Sequence, residues 1–168
     1  MKKPKQDKSK NSESLEVRTR LAQLKVLRFG LTPAPNVPDA AYEDVAFSIS
    51  FTQRFIPNVQ YILITAKLFF QLKPETENTK PVIVGNLFVG FAFELDGLSQ
   101  FLQKDGKYRL PESLNSTYVN IAYGTLRGIV ATQFAGTLLS SALLPMSDTE
   151  QLLKAIEIDD TPASITQN

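Results

Sequence analysis

A chain of 168 residues has the size of one ordinary domain, and 43% hydrophobic against 21% charged residues is the balance of a globular protein, which excludes global disorder. Without Cys or His there is no disulfide framework, no cysteine-based zinc site and neither the commonest general base nor the commonest metal ligand, so catalysis would rest on carboxylates, Lys, Ser or Tyr alone. A net charge of +1 leaves no electrostatic footprint for nucleic acid, and the lack of cysteine suits a reducing cytoplasm.

Residues 1–14 are polar and aperiodic and read as a disordered basic leader carrying Lys2, Lys3, Lys5, Lys8 and Lys10; the polar run Gln6 to Ser14 stands where a signal peptide needs an apolar segment. A single domain is expected over 15–158 and a flexible tail over 159–168. Leu21, Leu24, Val26, Leu27, Phe29 and Leu31 suggest a first strand, stopped by the proline-rich stretch from Pro33 to Pro38. A long crossover follows, and then Val45, Phe47, Ile49 and Phe51 alternate with small or polar residues, the period of a strand buried on one face. Pro57-Asn58 marks a turn, Val59 to Leu72 a long strand paired with the one before, and Lys73 to Lys80 a polar loop. Leu87, Val89, Phe91, Phe93 and Leu95 alternate again up to Asp96-Gly97, completing a four-stranded antiparallel sheet.

Past the strands the texture is helical. Pro111, Glu112 and Ser113 offer a proline that suits a first turn, an acid near the positive helix end and a hydroxyl cap, and a helix of about six turns should begin near Leu114. Arg127 is the only charge between Ser113 and Ser147, so the bulky side (Val119, Tyr123, Leu126, Val130) and the small side (Gly124, Gly128, Ala131, Ala135) both lack a wet face. Four large side chains left in water would cost roughly 6–12 kcal/mol, as much as a whole domain's stability. Self-association is therefore expected through Tyr123, Gly124, Leu126, Gly128, Val130, Ala131 and Ala135. A membrane span over Gly128 to Ser147 is the rival explanation, opposed by Thr132, Gln133, Thr137, Ser140, Ser141 and Pro145 within it.

Several strings then fall in a familiar order. Phe29 is followed by Ala34-Pro35-Asn36, the fourth strand carries Val89-Gly90-Phe91 through to Gly97, and the long helix gives way to Ala135-Gly136-Thr137-Leu138 and Leu143-Leu144-Pro145-Met146. Over about residues 17–153 the chain resembles the SecB family of export chaperones. The resemblance implies an α+β fold, a four-stranded antiparallel sheet with a long helix and a short C-terminal helix, assembled as a homotetramer, a dimer of dimers with the long helices at the interface. It implies an ATP-independent holdase, not an enzyme, that needs no cofactor and keeps unfolded preproteins in apolar channels before passing them to the SecA motor. The family docks that motor through acids on the exposed sheet, some in the first strand, where this chain has Val26, Arg28, Gly30 and Leu31; motor docking is thereby put in doubt. SecB-like chaperones that protect an antitoxin are the alternative, and a non-enzymatic oligomeric ligand-binding module is a further one.

On the same resemblance Val37 and Tyr42 of the crossover, with Leu138, Leu139, Leu152 and Leu153 near the second helix, would meet client; each has an alternative reading as an anchor of its loop or helix on the core. Phe47, Phe51, Phe91 and Phe93 read as core. Glu94 and Asp96 have a spacing that would suit a metal or an acid/base pair, but a solvated strand end is the preferred reading without His. No Walker loop or dinucleotide fingerprint occurs.

Overall fold

Two-residue alternation builds most of the molecule. The computed structural model describes residues 17–35, 37–73 and 80–159; the expected leader lies outside them, as does the expected tail beyond Asp159. Strand β1 (Thr19–Leu31) is followed by a 3-10 helix (Asp39–Asp44) and by the antiparallel meander β2 (Ala46–Ile56), β3 (Tyr61–Leu72) and β4 (Val82–Leu95). Helix α1 (Glu112–Gln133), helix α2 (Thr149–Lys154) and strand β5 (Ile156–Ile158) complete the chain in an α+β arrangement.

The sheet has five strands in the order β1-β4-β3-β2-β5, and β5 runs parallel to β2, where four antiparallel strands were expected. Ile156-Glu157-Ile158 is too short for a period to be read in it; it becomes a strand because α2 delivers it to the open edge of β2. Phe51 N donates to Ala155 O and Asp159 N to Gln53 O, while the Arg54 guanidinium pairs with the Asp159 carboxylate, so the first residue of the expected tail is tied to β2.

Strand β1 explains why its apolar residues do not alternate cleanly. Register shifts between Leu21 and Gln23 and between Val26 and Arg28 each insert a residue, so Leu21, Leu24, Val26, Phe29 and Leu31 all stand beside the helix-side residues of β4. As the edge strand, β1 stays exposed along most of its length, with Leu21, Leu24, Val26, Leu27 and Phe29 each roughly two-fifths to one-half accessible.

Helix α1 lies across one sheet face and buries Tyr118, Val119, Ala122, Tyr123, Leu126 and Val130. The four bulky residues for which an external cover was expected are thus buried within the protomer, where α1 packs on β3, β4 and α2 and Tyr123 meets the loop between the helices at Pro145. What stays exposed is the small side, Gly124, Gly128 and Ala131, together with Ile121. The helix stops at Gln133, so Ala135 lies beyond it, in a turn whose left-handed Gly136 (φ 73°) the absence of a Cβ permits. No hydroxyl caps the start: Ser113 lies inside the first turn, where its carbonyl accepts from the Ser116 and Thr117 hydroxyls, and Pro111 O receives the first amides.

Phe51, Phe91 and Phe93 are core residues as expected, whereas Phe47 is 37% exposed at the start of β2, beyond the stretch that β5 covers. Phe93 packs against Tyr118, whose hydroxyl meets Thr19 Oγ1 at 2.9 Å and joins α1 to β1; burial holds the Tyr118 phenol above its ordinary pKa of 10.0. No helix among the described residues is long and apolar enough to cross a membrane, and 134–147 is turn and loop instead of the second half of a span.

A candidate client cleft between the two helices and the sheet end

The loop between the helices is fastened at several points, and those fastenings place α2. Tyr123 Oη donates to Pro145 O at 2.8 Å, and Arg127 Nε donates to Leu144 O at 3.0 Å with Nη1 2.8 Å from Met146 Sδ. Burial raises the Tyr123 phenol pKa, against a smaller opposing effect from the Arg127 charge. Asp148 caps α2 by accepting from Glu150 N, and Asn120 and Thr149 exchange hydrogen bonds at 3.2 Å across the helix pair. The single charge of the long apolar stretch therefore works as a loop fastener.

This seating opens a cleft of about 530 Å³ where the first turn of α1, α2 and the sheet end meet. Leu110, Leu153, Ile156 and Ile158 supply its apolar wall. Gln53 and Asn115 supply a polar part, with Gln53 Nε2 donating to Asn115 Oδ1 at 3.2 Å. Gln53 is only 1% exposed and is the one buried polar residue in the described core. Glu112, Glu150 and Lys154 edge the opening, two acids against one base. Beside it runs β5, the terminal strand of the sheet among the described residues. Such a place offers a guest apolar contact, amide partners and a strand edge, the needs of an extended peptide.

Of the residues expected to touch client, Leu153 lines this cleft. Leu152 and Leu139 are buried. Leu138 and Val37 are half-buried against the core, and Tyr42 is 1% exposed with its hydroxyl accepting from Ala34 N at 2.7 Å, the geometry of a crossover anchor. Of the residues expected at an oligomer interface, Tyr123, Leu126 and Val130 are taken up inside the protomer, whereas Gly124, Gly128, Ala131 and Ala135 face out.

Sequence reading missed Gln53, Leu110, Asn115, Ile156 and Ile158. One signal was present: Gln53 falls on the inward phase of Phe47, Ile49, Phe51 and Phe55, where a polar side chain is out of pattern. Glu94 is held by Arg20 at 2.6 Å at a strand end beside exposed Asp96, and no group of three or more metal-ligating side chains occurs among the described residues.

No family model matches the chain, and no curated protein matches it. Among solved structures it is similar to the SecB-like chaperone Rv1957 of Mycobacterium tuberculosis, in complex with a ChAD peptide from the HigA1 antitoxin, at 12% identity and a TM-score of 0.46 over 77% of this chain and 91% of that one. It is also similar to a protein of unknown function from Streptococcus agalactiae, at 12% identity and a TM-score of 0.28 over 79% of this chain and 98% of that one.

Proposed function

We propose that this protein is a non-enzymatic, ATP-independent holdase of the cytoplasm that binds unfolded polypeptide in the cleft between α1, α2 and β5. The carrying observation is the cleft itself, an apolar wall of Leu110, Leu153, Ile156 and Ile158 beside a terminal strand. An unfolded chain exposes apolar side chains and unpaired backbone groups, and this surface answers both without reading a particular sequence. A binder that prefers the unfolded state withdraws it from aggregation by mass action, so no nucleotide is needed. The sequence resemblance to the SecB family supports the same reading and extends it to unfolded preproteins, or an antitoxin, as clients. Assembly as a homotetramer belongs to the proposal, using the small side of α1 at Gly124, Gly128 and Ala131 and the exposed apolar edge of β1.

The test is native mass spectrometry with aggregation assays on a reduced, chemically unfolded client, without nucleotide. The wild type should take up unfolded but not folded client. Leu153→Glu with Ile158→Glu, which puts charge into the apolar wall while leaving the core intact, should weaken holding about tenfold or more. A wild type that leaves the client to aggregate, or a folded double variant that holds it as well as the wild type, defeats the proposal.

A further inference from the structure

The sheet face turned away from α1 has its own chemistry. Its register sets Arg28 beside Phe88 and Phe88 beside Lys67 in one cross-strand row, with Lys25 beside Gly90 in the next. Phe69 packs edge-on against Phe88 at 5.3 Å, and the Arg28 guanidinium lies 5.6 Å from the Phe88 ring centroid. Gly90 has no side chain, and the gap it leaves is a hollow of about 180 Å³ lined by Leu27, Leu63, Thr65 and the Lys25 stem. Leu27, displaced onto this face beside the second register shift and 52% exposed, forms one wall, its Cδ1 3.3 Å from where a Gly90 Cβ would stand.

The charges on this face are unbalanced. Of its carboxylates, Glu94 is held by Arg20 at one end, Asp159 is held by Arg54 near β5, and Glu157 stands beside Thr52 on β5, at the sheet edge opposite to β1 and away from the Lys25, Arg28 and Lys67 rows. Lys25, Arg28 and Lys67 have no ion-pair partner among the described residues, and their cross-strand neighbours are Gly90, Phe88 and Ser50. Three exposed cations around an apolar hollow complement a ligand of opposite charge that carries an apolar group between its charges.

We propose that this face docks an acidic polypeptide segment, its carboxylates on Lys25, Arg28 and Lys67 and one apolar side chain in the hollow over Gly90. Single-stranded nucleic acid fits less well. Binding of that kind stacks bases on free aromatic faces, whereas Phe88 already carries the Arg28 guanidinium and the edge-on Phe69 ring. The acidic partner would bind on the sheet face opposite to the cleft, so the two occupancies do not compete, and this proposal stands whether or not the protein holds unfolded clients.

Fluorescence anisotropy of the full chain decides it. The probes are a short labelled peptide of aspartates and glutamates around one leucine, the same peptide with serine for the leucine, and single-stranded oligothymidylate. The leucine peptide should bind most tightly, lose affinity as salt rises, and bind about tenfold or more weakly to Arg28→Glu with Lys67→Glu. Should that double variant fail to fold, Lys67→Gln and Leu27→Ser are read singly, the first weakening both peptides and the second only the leucine peptide. No binding of the acidic peptide, equal binding by a folded charge-reversed variant, no advantage for leucine, or oligothymidylate binding as tightly as the peptide overturns the proposal.

Discussion

Phe134→Ala should lower the unfolding free energy by about 3–5 kcal/mol, the range for truncating a buried phenylalanine that leaves a cavity. The ring is 1% exposed at the end of α1, with centroids 5.1 Å from Phe29 and 4.9 Å from Phe70. It thereby joins the helix to β1 and β3, and it closes over β4 at Gly85, where an added Cβ would meet Phe134 Cε1 at 3.4 Å and Leu139 Cδ1 at 2.6 Å. The site cannot collapse to fill the hole, because Leu139 and Phe70 are themselves packed. Denaturant unfolding of Phe134→Ala beside Phe29→Ala provides the check, since Phe29 is 42% exposed and its loss should cost clearly less. A Phe134 loss below that of Phe29 would contradict the packing described.

Asn115→Ala should destabilise by about 1–3 kcal/mol although it removes a partly exposed side chain, because it orphans the buried Gln53 amide. Replacing both partners with leucine should recover most of that loss, since a pair of apolar groups leaves nothing unsatisfied. A double-mutant cycle reads the difference as a coupling of about 1 kcal/mol. Additive losses would mean that the 3.2 Å contact is not an energetic one. A stable leucine pair that no longer holds client would assign the amides to the guest's backbone.

The meander was legible because its chemistry is local: Val45 through Phe51 and Leu87 through Leu95 alternate, and Pro57-Asn58 falls at the bend between β2 and β3. The six-turn helix was legible for the same reason, from the start signals Pro111, Glu112 and Ser113 and the run after them in which Arg127 is the single charge. Strand β1 was visible as apolar residues without a period, and two register shifts account for the irregularity. Which flank of α1 would be covered was not legible: both sides lack charge, and only the docking of the helix on β3 and β4 distinguishes Leu126 from Gly128. The cleft was hidden for a similar reason, since Gln53, Asn115 and Ile158 are remote in the chain and meet only when β5 pairs with β2. Leu153 alone was anticipated there.

The strand order also dictates a timetable. Strands β2, β3 and β4 follow one another in the chain, each paired with the next, and can pair as they leave the ribosome, but Thr19 must wait for Glu94, 75 residues later, and Arg54 for Asp159, 105 residues later. Closing such loops costs entropy before any contact repays it, so both outer strands are late arrivals. Until the last residues of β5 are made, the edge of β2 at Phe51, Thr52 and Gln53 stands unpaired and the cleft lacks the wall that Ile156 and Ile158 supply, so the nascent chain carries an open strand edge beside an unfinished apolar surface.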